Sequence, residues 1–170
     1  MRIAVIGNAG GGKPTLASKL AIRQDLPVFE SDPLLVKNMK MVSEEEYLAA
    51  HEQVISNDRW IFEGLGLATS FPARIDRATH VVFIDLPAWQ HYWMAAERQR
   101  AWERGDEVYN GSDDGALPSL KELFKMIDYV DQNYLPSLRV LVSEAERAGS
   151  ITLHTIKDFE QLDEFAGFDA

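Results

Sequence analysis

RIAVIGNAGGGKPTLASKL, residues 2–20, joins three kinds of chain in a fixed order. RIAVIG (2–7) is a continuous apolar run after Arg2 and closes on a glycine, which reads as a buried parallel strand. A glycine cluster follows. After Lys13, residues Leu16, Leu20 and Ala21 recur at helical spacing. Strand, glycine turn and helix are the setting required by the phosphate-binding pattern G-x-x-x-x-G-K-[ST]. Residues 7–14 match that pattern everywhere but the last position. Such glycines let backbone N–H groups curl around phosphate oxygens, and the helix N-terminus adds partial positive charge. A nucleotide cradle is therefore expected over Gly7, Asn8, Ala9, Gly10, Gly11, Gly12, Lys13, Pro14 and Thr15, with Lys13 reaching the β- and γ-phosphates.

Pro14 is the departure. A Ser or Thr there would offer Mg²⁺ a hydroxyl and the β-phosphate a backbone N–H, and proline supplies neither. Proline also biases the residue before it away from helical dihedrals. It is nonetheless welcome at a helix start, so the helix is expected to form, beginning one residue late. Phosphate binding should survive in weakened form, with Mg²⁺ coordination suffering more.

Outward from this stretch, apolar runs alternate with helical patterns. Strands are expected at 27–30, 59–64, 80–87 and 150–156. Helices are expected at 43–56, where Ser43 and Glu46 form a capping-box pattern, and at 88–105 and 118–134. Pro136 should bend or restart the last of these, which then runs to Gly149, and a terminal helix follows at 158–165. Residues 106–116 carry turn formers without an apolar period and read as a loop. Arg74 and Arg77 bracket an expected turn before the 80–87 strand. The alternation implies an α/β domain with a mainly parallel sheet. Ligands in such sheets sit beyond the carboxyl ends of the strands. Gly7, Asp32, Glu63 and Asp85 all fall there.

The 170 residues make one domain with one good core. A formal charge of −10 argues against general nucleic-acid binding, which needs a basic surface. A small anionic ligand needs only local positive charge. There is no cysteine, hence no disulfide framework or thiolate metal site. No apolar run approaches a membrane span, and the N-terminal apolar run is too short for a signal peptide, so a cytoplasmic protein is expected. His51, His80, His91 and His154 lack metal-ligand spacing and read as structural. Trp89, Tyr92, Trp93 and Trp102 read as core rather than as a base-stacking platform.

In order, RIAVIGNAGGGKPTLASKLA, DRWIFEGLG, RIDRATHVVFIDLP and the arginine-bearing helix after them resemble the adenylate-kinase-like P-loop kinases. Within these, the chain is most similar to small DNA-topology-modulation proteins, over roughly residues 1–104. The resemblance implies a single nucleoside-kinase-like domain over 1–170, with helices on both faces of a five-stranded parallel sheet of order 2-3-1-4-5. It implies ATP or GTP with Mg²⁺ at the loop, and a lid near 104–117. Thr15 commonly touches the α-phosphate in related loops.

Four further positions complete the expected site. Asp32 would orient or deprotonate the acceptor hydroxyl, although Ser31-Asp32-Pro33 is equally turn chemistry. Glu63 stands where the resembled proteins carry an acid that holds Mg²⁺ through water, and it is favoured over Asp85, which fits a loop-pinning role. Arg74 is expected on the acceptor side. Arg98 stands where the resemblance places a lid arginine; it shares a helix face with His91 and Met94, while Arg100 lies opposite. Guanidinium groups of this kind bind phosphate bidentately. The expected activity is ATP-dependent phosphoryl transfer to a nucleotide or small hydroxylated acceptor. The alternative is a nucleotide-binding regulatory or partner-binding protein that has lost turnover, which Pro14 and the acidic loop after Arg104 favour.

Overall fold

A computed structural model describes residues 1–37, 40–106 and 119–167. Five parallel strands form one sheet: β1 (Arg2–Gly7), β2 (Val28–Glu30), β5 (Trp60–Glu63), β6 (His80–Ile84) and β7 (Thr152–Ile156). Their order is β2-β5-β1-β6-β7, and β1 pairs in parallel with both β5 and β6. The two short strands β3 (Val36–Lys37) and β4 (Lys40–Met41) make a separate antiparallel ribbon. Counting only the main sheet, this is the expected 2-3-1-4-5 order.

The helices are α1 (Lys13–Gln24), α2 (Asp32–Leu35), α3 (Glu44–Ile55), α4 (Phe71–Arg77), α5 (Ala88–Glu103), α6 (Leu120–Asn133), α7 (Leu135–Arg147) and α8 (Phe159–Gly167). Successive strand residues point to opposite faces, and β1 shows the result. Ile3 and Val5 pack with Leu16, Ala17 and Leu20 of α1 and Leu162 of α8. Ala4 and Ile6 pack on the other face with Val54 and Ile55 of α3, Phe71 and Ile75 of α4, and Leu138 of α7. Burying Leu16 and Leu20 stabilises α1 by roughly 1.5–3 kcal/mol each. That burial holds the glycine loop against the sheet. A third cluster joins Ala95 of α5 to Leu123 and Ile127 of α6, with Ala9 packed on it.

Three local expectations are corrected. Helix α1 begins at Lys13, not one residue late, and Pro14 occupies its first turn. The first N–H groups of a helix have no intrahelical partner, so proline costs no ladder bond there. The Leu16 N–H still donates to the Gly12 carbonyl at 3.0 Å. Arg74 and Arg77 lie on α4 rather than around a turn. This helix has only seven residues, too few for its Phe71 and Ile75 to display a period. Two aromatic residues of α5 are not core: Trp89 and Trp93 are 62% and 54% exposed, resting against Phe159, whereas Tyr92 packs against the third cluster beside Phe124. Helix α5 buries Gln90, His91 and Ala95 instead. Ser43 caps α3 by accepting from the Glu46 N–H at 3.1 Å, and Pro136 stands in the first turn of α7. Most of the loop expected to form a lid, 107–117, lies outside the described residues. Among the described residues, no helix is long and apolar enough to cross a membrane.

Candidate functional site

The site lies at the carboxyl edge of the sheet, where β1, β2 and β5 end at Gly7, Glu30 and Glu63. Glycine conformation shapes the loop. Gly12, the residue before α1, takes φ +72°, and a Cβ there would stand 3.2 Å from the Met94 side chain of α5. No side chain caps α1, and its first turn holds no acid. The helix therefore presents uncovered N–H groups and the positive end of its dipole to the loop, an arrangement suited to phosphate.

The loop is anchored from behind. Asn8 is fully buried, and its amide donates to the Ile127 carbonyl of α6 at 2.9 Å. Its side-chain oxygen accepts from the Ala9 N–H at 2.7 Å. The Asn8 side chain thus faces the protein and leaves its backbone to the cradle. His91 is buried beneath the loop; a Cβ on Gly11 would stand 3.2 Å from its ring. Burial pushes this imidazole down to about 4, with the Lys13 charge adding to the effect, so it is neutral at physiological pH.

Lys13 is half-buried, and its ammonium donates to the Asn8 carbonyl at 2.8 Å. Burial lowers its affinity for the proton. Glu63 and Asp32 pull it back up, and Arg98 lowers it further. These mutual influences bring Lys13, Glu63, Asp32 and Arg98 into one electrostatic neighbourhood. Glu63 is 5% exposed. Burial pushes its carboxyl up to about 7, against the stabilising charge of Lys13 and with the repulsion of Asp32 and Glu30. Asp32 opens α2 at the surface, with Ser31 Oγ donating to its carboxylate at 3.3 Å.

The α5 face bearing His91 and Met94 meets the loop, and Arg98 follows on that face, half-buried. Arg100 is exposed and ion-paired with Glu97 at 2.7 Å. Pro14 and Thr15 are exposed in the first turn of α1. Asp85 is ion-paired with Arg139, whose Nη2 donates to its carboxylate at 2.8 Å and whose Nε donates at 3.1 Å to both oxygens. Arg139 also lies 3.7 Å from Asp131.

Arg74 is fully enclosed in protein. Its guanidinium donates to the Gly64 carbonyl at 2.7 Å, to His51 Nε2 at 3.3 Å and to the Tyr47 hydroxyl at 3.3 Å. It therefore grips the Gly64 backbone just beyond the end of β5. Burial lowers its proton affinity, which Tyr47, Glu63 and Asp32 raise again. Tyr47 drew no notice in the sequence, where His51 reads as structural. Their four-residue spacing on one face of α3 was the available signal.

Among solved structures, the chain is similar to a shikimate kinase from Acinetobacter baumannii in complex with shikimate. They share 14% identity and a TM-score of 0.53, covering 92% of this chain and 83% of that one. It is also similar to a gluconokinase from Sinorhizobium meliloti 1021, at 11% identity and a TM-score of 0.56, over 97% of this chain and 88% of that one. The fold is that of the P-loop kinases. Neither neighbour bears the narrower description of a DNA-topology-modulation protein. No protein-family model matches the chain, and no curated protein sequence does.

Proposed function

We propose that the protein is a phosphotransferase that uses ATP or GTP with Mg²⁺ to phosphorylate a small hydroxylated molecule or a nucleotide. The observation that carries this reading is the uncapped N-terminus of α1, with Lys13 at its mouth in one electrostatic neighbourhood with Glu63, Asp32 and Arg98. Two P-loop kinase neighbours add support, one with a hydroxylated acid, shikimate, bound.

The residues fit the nucleotide. The loop glycines and the open helix end suit its phosphates, and Lys13 and Arg98 offset their charge. For the metal the fit is sparser. Among the described residues, no cluster of three or more His, Cys, Asp or Glu could hold an ion. Glu63 would hold Mg²⁺ through water, the remaining ligands coming from water and nucleotide oxygens. When bound, Mg²⁺ neutralises charge that develops on the phosphates.

The chemistry asked of the chain is positioning and electrostatics. Asp32 accepts the proton of the acceptor hydroxyl. The acceptor oxygen forms a bond to the γ-phosphorus as the bond from that phosphorus to the bridging oxygen breaks. The nucleoside diphosphate leaves, with Lys13 and Arg98 offsetting its charge. Pro14 favours a second reading, a nucleotide-binding regulatory or partner-binding protein without turnover, because it offers neither hydroxyl nor N–H.

A thermal-shift screen of ATP, GTP and their diphosphates, with Mg²⁺ and with EDTA, tests both readings. A ligand that binds the folded state at about 100 times its Kd adds about 2.7 kcal/mol. The kinase reading expects a shift that Mg²⁺ enlarges and that Lys13→Ala removes. A shift indifferent to Mg²⁺ supports the second reading. Equal shifts for wild type and Lys13→Ala would overturn the cradle assignment.

A further inference from the structure

Arg74 is a buried cation, and among the described residues no carboxylate is paired with it. Burying an unpaired charge is costly. In direct contact the surroundings offset this with neutral groups, and from beyond ion-pair distance the Glu63 and Asp32 charges also favour the cation. Three acceptors receive its N–H donors, and the Phe62 ring lies 4.2 Å from the guanidinium carbon. Apolar packing would fill the same space at lower cost, so the location of the charge calls for an explanation.

The explanation lies in the backbone that Arg74 grips. The Gly64 carbonyl accepts from Arg74, while the Gly64 N–H donates to the Val5 carbonyl of β1 at 3.1 Å. One residue earlier, the Glu63 carbonyl accepts from the Ser31 N–H at 2.9 Å, next to Asp32. The chain then folds closely over the guanidinium. Gly66 takes φ +69°, and a Cβ there would stand 2.0 Å from the Tyr47 hydroxyl and 3.1 Å from Arg74 Nη2. The turn from Glu63 to Gly66 is therefore moulded on Arg74 and Tyr47. His51 completes the seat, its neutral Nε2 accepting from Arg74 Nε.

We infer that Arg74 is a positioning residue. Seated on His51 and Tyr47, it clamps the Gly64 carbonyl and so sets the strand end from which Glu63 enters the nucleotide–metal site. The inference rests on the nucleotide–magnesium reading above. It assigns the guanidinium no contact with the acceptor.

The test is the Mg²⁺ coupling of ADP binding, the ratio of the Kd in EDTA to the Kd in Mg²⁺, measured by isothermal titration on the whole chain. Arg74→Met should keep the EDTA affinity within about twofold and lower the ratio at least about fivefold, part of the roughly ten- to hundredfold value of a hydrogen bond to a charged group. His51→Leu, which removes the acceptor for Arg74 Nε, should lower the ratio in the same direction. His51→Gln, whose Oε1 can accept the same bond, should restore it. A purely structural role would lower Tm in all three variants without this pattern. If Arg74→Met fails to fold, the His51→Leu and His51→Gln pair decides. Coupling present in wild type and unchanged in His51→Leu overturns the inference alone. Absence of coupling in wild type overturns the metal reading and the inference with it.

Discussion

Replacing Glu63 by Gln should make the protein more stable near pH 8 while weakening the site it serves. Glu63 is 5% exposed, and its carboxyl is pushed by burial from 4.5 to about 7. Over that window the folded chain holds a proton that the unfolded chain releases. Stability therefore falls as pH rises from 4.5 to about 7, and the full penalty is present above the upper value. Each tenfold change in proton affinity is worth about 1.36 kcal/mol, so the penalty amounts to about 3 kcal/mol. The attraction of Lys13 is already contained in that figure, because it opposes the upward push. Gln has the shape of the protonated acid and carries no charge. For a chain of this length, the gain corresponds to roughly 6–12 °C in Tm.

Urea denaturation of wild type and Glu63→Gln at about pH 8 and about pH 4.5 measures the effect directly. The variant should be the more stable at the higher pH by about 3 kcal/mol and nearly equal at the lower. The same variant should lose most of the Mg²⁺ dependence of ADP binding, the usual conflict between stability and a strained functional group. A difference that is zero at the higher pH, or equal at both, would refute the reasoning, because then Glu63 carries no burial penalty.

Three further substitutions probe the loop and helix α5. Pro14→Ser returns a hydroxyl and an N–H; at roughly 1.5–3 kcal/mol for a hydrogen bond to a charged group, ADP should bind about one to two powers of ten more tightly. The gain in a paired titration should be larger in Mg²⁺ than in EDTA, and no gain in either means that Pro14 is not the defect. Arg98→Ala should weaken ATP binding more than Arg100→Ala, since Arg98 acts on Lys13 whereas Arg100 is exposed and paired with Glu97. Titration calorimetry giving the reverse order would place the phosphate on the other face of α5.

The glycine loop was legible in the sequence because its determinants are local. An apolar run, φ-permissive glycines and a helix start lie within twenty residues, and each signal acts on its neighbours along the chain. The alternation of strands and helices made a mainly parallel sheet legible, and the strand order came through the resemblance alone. Helix α4 was not legible, because seven residues show no period. The surroundings of each acid were also beyond reach. Asp85 and the Arg139 that holds it are 54 residues apart, and Arg74 lies 27 and 23 residues from Tyr47 and His51. Sequence periodicity tells which side of a strand or helix is apolar, and it placed Glu63 at a strand end. It does not tell which distant element covers that side. Burial by neighbours from elsewhere in the chain, together with the charges of Lys13, Asp32 and Glu30, moves the Glu63 carboxyl up to about 7. Only the packed structure decides that, because desolvation depends on every atom that displaces water around the group, wherever it lies in the chain.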